Sequence, residues 1–94
     1  MRKPRLLYHA SRRSRRRSIL ARGLDPAYGA GRKGGCGQQT IYMTSERDQC
    51  NSFEDVWQID TRGIAVLQHP GEDSWWLFSE LIPADHLRLV QHAL

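Results

Sequence analysis

Three side chains able to do chemistry stand against apolar runs in this sequence. His9 follows Leu6-Leu7-Tyr8 and is itself followed by Ala10 and Ser11. Tyr42 lies within Ile41-Tyr42-Met43-Thr44, and Glu80 within Phe78-Ser79-Glu80-Leu81-Ile82. An imidazole can exchange a proton near neutral pH, and a phenol offers a flat ring with a hydroxyl at its tip. A carboxylate set among Trp75, Trp76, Leu77 and Phe78 is costly to bury unless it is paired or used. On a two-residue period Trp76, Phe78, Glu80 and Ile82 share one strand face, which aims Glu80 with the aromatic residues. Each residue also has a plainer reading: a hydrogen-bonded structural histidine, a core tyrosine, and a glutamate that is solvated or meets an arginine.

The charge is unevenly spread. Up to Gly37 there are eleven Lys and Arg against Asp25 alone, whereas the rest of the chain carries three Arg and nine Asp and Glu. Five of the cations, Arg12, Arg13, Arg15, Arg16 and Arg17, fall in six consecutive positions. Such a block meets an external polyanion, such as a nucleic acid or a dinucleotide phosphate, or pairs with the acidic remainder of the same chain. Cys36 and Cys50 are too few and too far apart for a structural zinc site, so no metal is expected. No secretory signal is recognisable at the start, which favours two reduced thiols and a cytoplasmic setting. No apolar run approaches the ~20 residues of a membrane helix, so no membrane partner is expected.

A chain of 94 residues has room for one core, and a single domain over residues 1–94 is expected. Strands are predicted over Arg5 to Ala10 from apolar Leu6, Leu7 and Tyr8, over Thr40 to Thr44 from β-branched and aromatic content, and over Val56 to Asp60 and Ile64 to Gln68. Two more are predicted over the strongly aromatic Ser74 to Ile82 and over Leu87 to Gln91, where a short helix is the alternative. The second and third of the last four are separated by turn residues His69 to Asp73, and Val56 to Asp60 is expected to form a hairpin with Ile64 to Gln68 through Arg62-Gly63. A helix is predicted over Ser11 to Arg22, capped by Ser11 or Ser14 and ended by Gly23. Ser45, Glu46 and Asp48 resemble a capping box that opens a second short helix to about Phe53. Tyr28 to Gln39 holds Gly29, Gly31, Gly34, Gly35 and Gly37 and reads as a loop, and Pro83-Ala84-Asp85 as a tight turn. The sum is a small α+β domain with a mostly antiparallel sheet and two short helices.

Taken in order, Leu6-Leu7-Tyr8-His9-Ala10-Ser11, Ser18-Ile19-Leu20-Ala21-Arg22-Gly23-Leu24, Ile41-Tyr42-Met43-Thr44 and Ser79-Glu80-Leu81-Ile82 resemble the ADP-ribosyltransferase superfamily. The branch they are similar to is the poly(ADP-ribose) polymerase-like one, with its His, Tyr and Glu positions. The chain departs from that pattern in three ways. His-Ala-Ser replaces His-Gly-Ser, Gln39-Thr40 stands where glycine is usual, and the stretch from Tyr42 to Glu80 is compressed. The resemblance implies an ADP-ribosyltransferase-like fold with NAD as co-substrate. It implies that His9 bonds the adenosine ribose, that Ala10 and Ser11 hold the nicotinamide carboxamide, and that Tyr42 stacks on the nicotinamide ring. Glu80 would bind the ribose next to the bond that breaks, and Arg32 and Lys33, with the basic helix, would cover the pyrophosphate.

Three functions follow as expectations. One is a minimal NAD-dependent ADP-ribosyltransferase that modifies a protein or nucleic acid. Another is a non-catalytic interaction or inhibitor protein on the same scaffold. The last binds or processes nucleic acid through Arg12, Arg13, Arg15, Arg16 and Arg17, in the manner of an RNA 2′-phosphotransferase.

Overall fold

A computed structural model describes residues 3–29 and 40–93. Its six strands are β1 (Leu6–Ser11), β2 (Ile41–Thr44), β3 (Asp55–Asp60), β4 (Leu67–Gln68), β5 (Trp75–Phe78) and β6 (Leu87–Gln91). They form one sheet in the order β4-β5-β2-β1-β3-β6, and every neighbouring pair is antiparallel. One α-helix, α1 (Arg16–Arg22), follows a 3-10 turn at Arg13–Arg15. The protein is therefore a small α+β domain, with one short α-helix among the described residues rather than two.

Alternation along the strands separates two faces. Leu7 pairs with Ile59, Met43 with Trp76, Ile41 with Phe78 and Trp57 with Leu89, so these side chains share one side of the sheet. Ile19 of α1 packs there with Leu24, Ile64, Val66 and Ile82, and the cluster is buried. Removing this much aliphatic and aromatic area from water, at about 25 cal/mol per Å², is the main force holding the sheet and helix together. The other side carries Tyr8 with Gln58, Thr44 with Trp75, and Tyr42 with Leu77, which in turn pairs with Leu67. Leu67 is exposed on this side.

Several elements differ from the sequence reading, each for a local reason. Ser11 closes β1 instead of capping a helix, because its pairing with Asp55 keeps it extended. The helix starts at Arg16, and no side chain caps it. The expected second helix is a 3-10 turn at Arg47–Gln49, since Thr44 Oγ1 accepts the Glu46 N–H at 3.0 Å and also bonds the Gln49 side chain. The turn at Arg62-Gly63 forms, but Ile64 and Val66 then drop into the core instead of pairing back on β3. Only Leu67–Gln68 remains as strand, and its partner is β5. The hairpin is thus β4–β5, closed through the His69 to Asp73 turn.

Candidate functional site

The sheet is unevenly knit about β1. With β3 it makes six residue pairs, from Leu6↔Asp60 to Ser11↔Asp55, whereas with β2 the register holds one, Tyr8↔Thr44. The Arg5 carbonyl accepts the Thr61 N–H at 2.9 Å, which turns the main-chain groups of odd-numbered β1 residues toward β3 and of even-numbered ones toward β2. Ala10 would face Tyr42 if the β1–β2 ladder continued. Instead the strands part there, and His9 Nδ1 lies 2.7 Å from the Tyr42 carbonyl oxygen. A carbonyl only accepts, so Nδ1 carries the hydrogen, and in the neutral ring Nε2 is the acceptor nitrogen. The imidazole bonds the carbonyl that a continued ladder would pair with Ala10, and strand alternation turns the N–H and C=O of Ala10 toward β2.

His9 and Tyr42 are therefore brought together through a side chain and a main chain, not ring to ring. Strand pairing places the Tyr42 phenol on the side of Leu77 and Leu67, whereas His9 pairs with Trp57 on the core side. The same arrangement explains why both are half-buried.

Glu80 is placed differently from the two-residue count. β5 ends at Phe78, and Ser79–Leu81 links that strand to Ile82, whose N–H and C=O exchange bonds of 2.9 Å each with Leu24. A link between two separate pairings does not keep the strand period, so Glu80 is exposed while Trp76 and Ile82 are buried. It borders a hollow of about 480 Å³ lined by Thr40, Ala65, Leu67, Leu77, Phe78 and Ser79. A hollow of that size accepts a small heterocycle or a sugar. Antiparallel order puts the end of β1, the start of β2 and the end of β5 at one end of the sheet, so His9, Tyr42 and Glu80 share that end, but His9 and Tyr42 project to opposite faces and neither lines the hollow.

Ser11 is buried, and its Oγ accepts the Trp57 Nε1–H at 2.8 Å, which leaves the hydroxyl hydrogen to donate. The arginine block divides. Arg16 forms a fork on Asp55, Nε to Oδ2 at 2.8 Å and Nη2 to Oδ1 at 2.7 Å. Asp55 is fully buried and also accepts the Ala93 N–H at 2.6 Å. The Arg16 bonds, helped by the Ala93 amide, hold its carboxyl below the ordinary carboxylate range against the opposing effect of burial. Internal pairing thus accounts for Arg16, whereas Arg12, Arg13 and Arg17 are exposed and Arg15 is half-buried. Arg32, Lys33 and Cys36 lie outside the described residues. Cys50 is a free thiol, pushed up in pKa mainly by burial.

Asp55 is the residue whose importance sequence reasoning missed. Its signal was a carboxylate opening the apolar run Val56-Trp57, the same kind of signal that drew attention to Glu80. Among the described residues no group of three or more His, Cys, Asp or Glu side chains could hold a metal ion, and no helix is long and apolar enough to cross a membrane. No protein-family model matches the chain, and no curated protein matches it.

Proposed function

We propose that the protein is a minimal NAD-dependent ADP-ribosyltransferase. The observation that carries this reading is the single-pair β1–β2 edge, with the His9 ring on the Tyr42 carbonyl; Glu80 borders a separate hollow at the same end of the sheet. The N–H and C=O of Ala10 in the gap match the C=O and NH₂ of a carboxamide, and Ser11 has a hydrogen to donate to the same carbonyl. In this reading the ligand threads the parted edge, with the Tyr42 ring stacked on nicotinamide on one face of the sheet and the His9 imidazole accepting a ribose hydroxyl through Nε2 on the other. Glu80 holds the 2′-hydroxyl of the nicotinamide ribose.

The chemistry asks for little more. The bond between ribose C1′ and the nicotinamide nitrogen breaks, its electron pair leaving with nicotinamide. Positive charge then develops over C1′ and the ring oxygen, and a fixed carboxylate stabilises that charge more than it stabilises the substrate. A nucleophile on the acceptor bonds to C1′ and releases its proton to solvent or to Glu80. Glycosidases use a carboxylate beside a similar sugar cation.

The test is nicotinamide release from NAD by the wild type and by Glu80→Gln. The variant is expected to bind NAD and to turn over about 100-fold more slowly or worse. Unchanged turnover would remove Glu80 from the mechanism. A second reading, a non-catalytic interaction protein on this scaffold, is favoured by the exposure of Glu80, because an anion in water stabilises a developing cation weakly. It predicts no thermal shift with NAD. The enzyme reading predicts about 2.7 kcal/mol of added stability at 100 times the Kd.

A further inference from the structure

The structure sorts the arginine block into a structural member and an exposed stripe. Arg16 is held by Asp55. Arg13, Arg17 and Leu20, spaced i, i+4 and i+7, line one shallow groove of about 380 Å³ with Ser14 and Arg16. Arg13 belongs to the 3-10 turn and Arg17 and Leu20 to α1, so the groove runs across the junction of the two. Leu20 is 59% exposed, an apolar side chain left in water between cations. The first turns of this segment contain no acidic residue. Arg12 and Arg13 also follow directly on Ser11, so the stripe begins where β1 leaves the parted edge.

We infer that this face docks single-stranded nucleic acid through its phosphate backbone. The consequence that such a strand is the acceptor class of the transfer rests on the activity proposed above. Arg13 and Arg17 supply forked donors to successive phosphates. Guanidinium planes and the Leu20 side chain offer surfaces to unstacked bases. A duplex fits less well, because α1 has seven residues, and two exposed guanidiniums beside a leucine present no row of base-reading side chains for a major groove. Charge decides the class of partner: the stripe is cationic, and Asp55, the carboxylate that meets the block, is already saturated by Arg16 and Ala93.

The experiment is fluorescence anisotropy with labelled 20-nucleotide single-stranded RNA and DNA and a matched duplex, over a range of NaCl concentrations. Single strands are expected to bind more tightly than the duplex, with affinity falling linearly in log salt. The double variant Arg13→Gln/Arg17→Gln is expected to bind at least tenfold more weakly, with a slope shallower by about 1.4, the value for two single-strand phosphates no longer neutralised. Arg88→Gln, an exposed arginine on β6, is expected to bind as the wild type does. Circular dichroism checks that each variant is folded. Unchanged affinity in the double variant overturns the inference, as does binding to phosphatidylserine vesicles in place of oligonucleotides. Wild-type protein is then incubated with the oligonucleotide and NAD labelled in its adenylate phosphate. Label on the strand supports the acceptor assignment. Nicotinamide release with an unlabelled strand overturns that assignment and leaves the proposed activity standing. Arginine-dependent binding without nicotinamide release leaves the docking face standing and overturns the proposed activity.

Discussion

On one side of β1 the sheet is closed, and on the other it is open. Toward β3 the ladder runs unbroken for six pairs and continues to β6 with one register shift between Val56 and Trp57, Trp57 and Ile59 are buried, and Asp55 ties α1 and the Ala93 amide to the strand. Toward β2 a single pair, Tyr8↔Thr44, holds the register, and a histidine side chain takes the position of a backbone donor. The open side is braced from the core face, where Leu24 after α1 bridges Ile82 after β5. The fuller strand pairing and the proposed chemistry thus fall in different halves. The closed half pairs β1 along its whole length and satisfies the Asp55 carboxylate, whereas the open half pairs β1 with β2 at one residue only. A parted ladder is tolerable in a domain this small because the brace and the buried face supply what the missing backbone pairs do not.

The strongest way to break this division is at the brace. Gly23 has φ of 95°, and a Cβ there would overlap the Ile82 carbonyl and come within 2.9 Å of Ala84 N. Gly23→Ala should cost about 3 kcal/mol or more, seen as a fall in melting temperature of about 12–24 °C. A normal melting temperature would show that Leu24–Ile82 does not hold the two halves together.

Next is the closed half. Asp55→Ala leaves a guanidinium without its partner and should destabilise by about 3 kcal/mol in urea denaturation. The pH dependence follows from the direction of the shift. A carboxyl whose folded pKa is depressed stabilises the fold above its unfolded value, about 3.9 for Asp, and this is lost as pH falls through the folded value. Wild-type stability should therefore decline below about pH 4, and the decline should be shallower in Asp55→Ala. Equal slopes would mean that another carboxylate governs acid unfolding.

Smaller effects belong to the open half. His9→Phe removes the donor to Tyr42 O and, in the proposed activity, a ribose contact. A stability loss of about 1 kcal/mol is expected, with NAD affinity reduced about tenfold in a calorimetric titration. Should stability fall as far as in Asp55→Ala with NAD affinity unchanged, the imidazole is structural and the division fails. Phe53 is 70% exposed and outside both halves, so Phe53→Ser should change stability by less than about 0.5 kcal/mol.

Local pattern carried much of the architecture. The apolar runs at Leu6–Ser11, Ile41–Thr44 and Leu87–Gln91 form strands because apolar side chains on a pleated surface find a core beside it. Where pattern misled, a long-range partner had intervened. Ile64 and Val66 alternate like a strand, yet they fill space under the sheet. Glu80 sits two residues past a strand whose period it was assumed to share, because Ile82 is drawn to Leu24. For the candidate site, the residue types and their order along the chain were readable, and their placement was not. His9 meets the main chain of Tyr42, and Ser11 serves Trp57, 46 positions away.

By itself the sequence determined the α+β composition, the cationic first third and the presence of an imidazole, a phenol and a carboxylate in that order. Those properties follow from side-chain chemistry and from periods of a few residues. Only the tertiary structure decided that β1 parts from β2 at Ala10, that Asp55 claims Arg16 and leaves Arg13 and Arg17 in solvent, and that Glu80 lies at the rim of a hollow. Each of those outcomes is a competition between partners distant in the chain, settled by which groups burial brings together and which backbone bonds it closes.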